Sequence, residues 1–260
     1  MSARRLGLAL TGLVLAAWVL SWVSGYDVKT DVHPDRVHAG PSAEHWLGTD
    51  KLGRDVFWRL VTASRAFVPT GALAATVAGA LGVGAGAIAG WFGGVPAALV
   101  RYVLGVVATV PRFVLVLLAC AITGGDTWAL AVASGVAYAP TLGEAVFARL
   151  EGLRRAEFVL AARAHGLSDA RILGHHLLWV SCRGLVARHL CGAFGYFLLL
   201  ETTLSYLGSF GVQEPTPSWG NMLALEFGQY EGNAWAWIAP VAAIWIAMLG
   251  TTLVGEVADD

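Results

Sequence analysis

Charge is what this sequence has least of. Only 13% of its 260 residues are Asp, Glu, Lys or Arg, where a soluble domain of similar size carries about 25%. The net charge is −1, which leaves no basic patch for nucleic acid. Cysteine is scarce as well. Cys120, Cys182 and Cys191 form an odd count without metal-ligand spacing, so they read as small apolar residues. No Gly-x-x-x-x-Gly-Lys-Ser/Thr loop is present to cradle phosphates, so this chain cannot hydrolyse ATP alone. A nucleophile elbow and a His-Glu-x-x-His helix are also missing, which removes the support for an intramembrane enzyme.

What fills the chain instead is apolar. Hydrophobic residues make up 57% of it, and the mean hydropathy is +0.64. Six runs approach the ~20 residues needed to cross ~30 Å of hydrocarbon: Leu6–Val23, Phe67 to about Phe92, Ala98–Thr123, Trp128–Gly143, Val186–Leu207 and Ala234–Val254. Gly93-Gly94 and Pro96 end the second run, and the fourth needs Glu144–Phe147 to reach full length. Eleven tryptophans suit a chain with many membrane–water boundaries. The fold class expected is all-α, a polytopic membrane protein with about six transmembrane helices. Residues 1–66 would hold the first helix and an extracytoplasmic segment, and residues 67–260 the main transmembrane domain.

The first run has a basic start, Arg4-Arg5, and so invites a signal-peptide reading. Ser21-Trp22-Val23-Ser24 lacks a small-x-small cleavage site, which favours an uncleaved helix. Orientation follows the basic residues of the loop 149–171, namely Arg149, Arg154, Arg155, Arg163 and Arg171, which suit the cytoplasm. Segment 24–66 also carries six basic residues, accompanied by six acidic ones, and segments this long follow the charge rule weakly. Both termini are expected inside.

Within the second run, Gly82, Gly86 and Gly90 recur at four-residue spacing. Small residues so spaced form a flat face on which another helix can approach closely, either within one subunit or at a subunit interface. Arg112 lies about eleven residues into the third run, roughly 16 Å of helix rise, and Glu201 lies late in the fifth. Ionisable groups at such depth cost at least a few kcal/mol. Either they line a pathway or bridge helices, or the helix ends lie elsewhere and both residues sit at an interface.

Between the fourth and fifth runs stands a polar, helix-favouring segment, Glu157 through Asp169. It must lie outside the lipid, where a soluble partner can reach it. Glu157 to His165 lacks Gly and Pro, Gly166 stops the helix, and Ser168 is placed to cap a second helix starting at Asp169. Ala161 and Ala162 leave a low-profile surface suited to a groove on another protein.

This segment resembles the signature of ABC-importer permeases, Glu-Ala-Ala, three residues, Gly, nine residues and Ile-x-Leu-Pro, which the ATPase subunit grips. Ala161, Ala162, Gly166 and Leu178 match, Leu160 replaces the Glu, His176 the Ile and Trp179 the Pro. In the dipeptide/oligopeptide/nickel branch His is frequent at that Ile position, so His175-His176 need not be a metal site. His45-Trp46-Leu47-Gly48-Thr49-Asp50-Lys51-Leu52-Gly53-Arg54-Asp55-Val56, Ile88-Ala89-Gly90-Trp91-Phe92-Gly93-Gly94 and the stretch from Glu201 to Leu223 resemble elements of the second permease subunit of that branch, in order. Departures are Glu144 and Phe147, where relatives tend to carry arginines, and the absence of an aspartate near Gly105.

The resemblance implies a permease subunit of an ATP-driven importer in the bacterial inner membrane, with a cytoplasmic coupling helix in the loop 149–176. It implies a second homologous permease, two ABC ATPase subunits and an extracytoplasmic solute-binding protein as partners. ATP and Mg would be bound by the ATPases, with no cofactor or metal in this chain. Glu157, Ala161, Ala162, Gly166, Ser168 and Asp169 would form the coupling site, and a peptide-like or other small solute would be the cargo. A secondary transporter or channel subunit, needing no ATPase, is the alternative.

Overall fold

The computed structural model describes residues 3–228 and 232–259. Helices account for its regular structure, apart from one isolated bridge between Thr49 and Asp55. They run α1 Ala3–Val23, α2 Val56–Phe92, α3 Gly94–Thr109, α4 Arg112–Thr123, α5 Thr127–Leu153, α6 Glu157–Ala164, α7 Asp169–Arg171, a π-helical stretch Ile172–Ser181, α8 Arg183–Leu207, α9 Trp219–Glu226 and α10 Trp235–Asp259. Five of them (α1, α2, α5, α8 and α10) are long and apolar enough to cross a membrane.

The third apolar run is not one straight helix. It breaks between α3 and α4 with a bend of 78°, where Pro111 removes a backbone donor and its ring crowds the preceding turn. Together the pair runs from one end of the molecule to the other. Gly125, just after α4, lies against Phe210 beyond the far end of α8. Trp91, just before α3, meets Arg154 and Arg163 at the opposite end of the molecule. Five long apolar helices and one bent pair thus account for the six apolar runs, in keeping with the expected fold class.

α2 begins at Val56, so residues 56–66 belong to this helix and not to the segment before it. Asp55 caps it by accepting from the Trp58 N–H at 2.9 Å. At 37 residues α2 extends roughly 55 Å, well beyond the hydrocarbon, and it forms the spine of the molecule against α5. Gly82, Gly86 and Gly90 make that contact possible. A Cβ at Gly86 would lie 2.5 Å from the Gly143 carbonyl oxygen, and one at Gly90 2.6 Å from the Leu150 Cβ. Gly82 meets Ala139 and Leu142 in the same way, and Gly135 returns the favour against the Ala74 carbonyl. The glycine face is thus used for helix packing inside this chain, where dispersion between closely approaching backbones replaces the missing hydrophobic force.

Two apolar clusters divide the interior. One joins α2, α4, α5, α8, α9 and α10 around Phe67, Leu130, Phe197 and Trp219. The other, at the opposite end, gathers Ala87, Leu142, Val146, Leu150, Val159, Ile172, Leu177 and Cys182. α1 and α10 pack antiparallel through Gly7 against Leu253 and Gly250 against Leu10 and Thr11. Both described termini therefore lie at the end of the molecule that holds α6.

Candidate functional site

At that end, α6 is anchored by one face only. Val159 is fully buried in the second cluster, and Ala162 and Leu167 pack partly against it. Phe158, Leu160, Ala161 and Ala164 face outward. Ala161 thus belongs to the open surface, while Ala162 turns toward the core. Glu157 opens the helix, where its carboxylate complements the N-terminal dipole.

Gly166 ends it by geometry. The Gly166 N–H bonds the Arg163 carbonyl at 2.9 Å and the Leu167 N–H bonds the Ala162 carbonyl at 3.1 Å. Gly166 adopts φ +81°. This pair of bonds is the Schellman closure, which requires a left-handed residue at the turn. Ser168 stands at the N-cap of α7, but its side chain makes no capping bond. Its backbone carbonyl instead accepts from Arg171 and Ile172. The expected side-chain cap is therefore not formed. Asp169 turns to Arg163 across the bend at 3.0 Å, which ties α6 to α7. The helix that follows is π-helical over ten residues, a form no residue pattern announced; the Ser181 hydroxyl donates to the His176 carbonyl within it.

Beside α6 lies an open groove lined by Trp91, Arg154, Arg155, Leu160 and Arg163, about 490 Å³ in volume. The Arg163 guanidinium lies 5.1 Å from the Trp91 ring centre, and Arg154 donates to the Trp91 carbonyl at 3.1 Å. The loop thus contacts the end of α2 through Arg154 and Arg163.

At the opposite end, residues 24–55 fold back over the helices and clasp the segment 208–228 and Asn233. Arg54 donates to Asp50 and Glu214, both at 2.8 Å, and Arg59 donates to Glu214 at 2.7 Å and lies 3.4 Å from Asp50. Both arginines are buried. Burial opposes the charge on Arg54, yet Asp50 and Glu214 outweigh it and hold its pKa above the ordinary value. Glu226 accepts from the Lys51 N–H at 3.0 Å and lies 3.0 Å from His38 Nε2. The Asn233 amide donates to the Leu47 and Thr49 carbonyls. The motif from Gly48 to Asp55 is thus a tight turn whose charges are matched locally and by distant partners. Three of the six basic residues of segment 24–66, Arg36, Arg54 and Arg59, are paired with carboxylates.

Inside the spans, Arg112 and Glu201 do not meet. Glu201 is 1% exposed and accepts from the Ser205 hydroxyl at 2.6 Å, which in turn accepts from the Val212 N–H at 2.9 Å. It organises the turn after α8 from within. Arg112 is exposed at the α3–α4 bend, where it donates to the Thr141 hydroxyl and lies 5.2 Å and 5.6 Å from the Tyr138 and Tyr196 ring centres. Nearby, Arg101 pairs with Glu144 at 3.2 Å and lies over Phe147 at 4.6 Å. The two departures on α5 are therefore the partners of an arginine on α3. Sequence reasoning missed this match, although Arg101 was a visible interruption of the third run. Among the described residues no cluster of three or more His, Cys, Asp or Glu is placed to hold a metal ion.

Comparison with known proteins agrees with this arrangement. Residues 82–260 match the family described as binding-protein-dependent transport system inner membrane component. The dipeptide transport system permease protein DppC of Alkalihalophilus pseudofirmus is 32% identical over 226 residues, 87% of this chain and 74% of that protein. The glutathione transport system permease protein GsiD of Shigella dysenteriae is 28% identical over 244 residues, 94% of this chain and 80% of its own length. The family description and the long apolar helices together make this a multi-pass inner-membrane protein. The chain belongs to the binding-protein-dependent transport system inner membrane component family, as a permease subunit of an ABC importer of the peptide type.

Proposed function

We propose that this permease forms half of a translocation pathway for a peptide-like solute and takes its power stroke through α6. The outward apolar face of α6, Phe158, Leu160 and Ala161, carries the reading. An exposed apolar patch on a polar loop fits a protein groove, and the Arg163–Trp91 and Val159 anchors pass its displacement to α2 and α5. Glu157, Ala161, Gly166, Ser168 and Asp169 shape this surface, with Ala162 as its inner support. Two cytoplasmic ATPases hold ATP and Mg, and this chain holds no cofactor. A second, homologous permease completes the pathway. The end bearing α6 and both termini faces the cytoplasm. The opposite cap, residues 24–55 with 208–233, meets the solute-binding protein. Arg112 faces the pathway.

Cysteine cross-linking tests the assignment. An Ala161→Cys permease, assembled with its ATPases, is expected to cross-link to an ATPase subunit and to do so differently with and without ATP. Cross-linking to lipid-facing probes alone would remove α6 from the interface.

A further inference from the structure

We propose that Arg112 is a carboxylate-recognising station on the translocation pathway, the point at which the C-terminal carboxylate of a peptide-like solute is received within the membrane. The proposal rests on the peptide-importer reading above and adds a residue and a chemical group to it.

Depth comes first. Arg112 touches Thr141 and Tyr138 near the middle of α5 (Thr127–Leu153) and Tyr196 near the middle of α8 (Arg183–Leu207). It therefore sits near the centre of the bilayer, where a guanidinium facing hydrocarbon is strongly disfavoured. Its side chain is exposed on the surface of this single chain, where a solute moving along the pathway would reach it. Charge comes second. Arg101 has Glu144, Arg163 has Asp169, and Arg54 and Arg59 have Asp50 and Glu214. Arg112 has no carboxylate within 4.0 Å among the described residues.

The fixed contacts leave the site oriented but unfilled. Thr141 and the two tyrosine rings hold the guanidinium without neutralising it, since cation–π contact and a neutral hydroxyl carry no countercharge. A planar guanidinium matches a carboxylate in two parallel hydrogen bonds. Flanking aromatic rings suit the apolar side chains such a solute would carry.

The test uses the complete importer, reconstituted in liposomes with its solute-binding protein, and two probes, alanyl-alanine and its C-terminal amide. The native complex should favour the acid. Arg112→Gln should lower the acid-to-amide uptake ratio about ten- to hundredfold, the range of one charge-assisted hydrogen-bonding group, while Arg112→Lys should fall between Arg112→Gln and the native complex, because the charge remains but the two-bond fork is lost. Equal loss of both probes in Arg112→Gln would overturn the station, as would separation of the two permeases on purification, which would make Arg112 part of a subunit interface. A native complex that takes up both probes equally, or neither, would overturn it too. Such a complex could still cross-link through Ala161→Cys, and the importer assignment would then stand without the station.

Discussion

Arg59, buried inside the first turn of α2, and Glu214, in the loop before α9, meet at 2.7 Å across 155 residues of sequence. With Arg54 and Asp50 they close a four-member ion-pair network that holds the cap on the helices. Removing one carboxylate leaves two buried guanidinium groups sharing what remains. Glu214→Gln should cost about 1–3 kcal/mol, tempered by the partial exposure of Glu214 itself. Thermal unfolding of the purified complex, together with proteolysis of segment 24–55, would show the loosening; an unchanged cap would mean that its apolar contacts suffice.

Gly86 and Gly84 make a matched pair on α2. A Cβ at Gly86 would meet the Gly143 carbonyl at 2.5 Å, whereas one at Gly84 would meet nothing within 4 Å. Gly86→Ala should therefore force α2 and α5 apart and destabilise the fold by about 1–3 kcal/mol. Gly84→Ala should be neutral or stabilise it by up to about 1 kcal/mol through helix propensity. The melting temperatures of the two variants should differ in that order.

Gly166 is constrained by conformation and not by space. Its φ is +81°, and no atom lies within 4 Å of a Cβ placed there. Gly166→Ala should cost about 1–2 kcal/mol and show as faster amide hydrogen exchange across residues 157–168. Gly166→Asn should cost less, since Asn tolerates the left-handed region.

Tyr26 gives the cap an alkaline limit. Burial, then its hydrogen bond to Asp31 and the charge of Asp31, raise the phenol well above its usual value of 10.0. A proton held more tightly in the folded state adds stability that is complete below the unfolded value and is lost as pH rises from there toward the folded one. Proteolysis of segment 24–55 should therefore accelerate above about pH 10. Tyr26→Phe, with no proton to lose, should remove that component.

Much of this architecture could be read from residue order, because membrane spans depend on local composition. The six apolar runs, the stop at Phe92 before Gly93-Gly94 and the short helix ended by Gly166 all follow from residues close in sequence. What escaped depends on distant or competing partners. Ser168 does not cap α7 because the chain satisfies that turn by other bonds, with Asp169 drawn to Arg163. The 78° bend needed Pro111 plus the packing of Arg112 against α5. The clasp of Glu214 and Glu226 on residues 38–59 joins segments more than 150 residues apart, beyond any local pattern. Glu144 and Phe147 depart from the family pattern, yet both contact Arg101 on α3, 43 and 46 residues away in sequence.

The central claim is that α6 transmits work between this permease and an ATPase, and solute-stimulated ATP hydrolysis by the assembled importer tests it most directly. Ala161 is exposed on the surface of α6. Ala161→Trp should therefore leave the permease folded yet lower solute-stimulated hydrolysis at least about tenfold, the loss expected when a bulky ring costs an interface 1.4 kcal/mol or more. Stimulation equal to that of the native complex, with the Trp in place, would contradict the account.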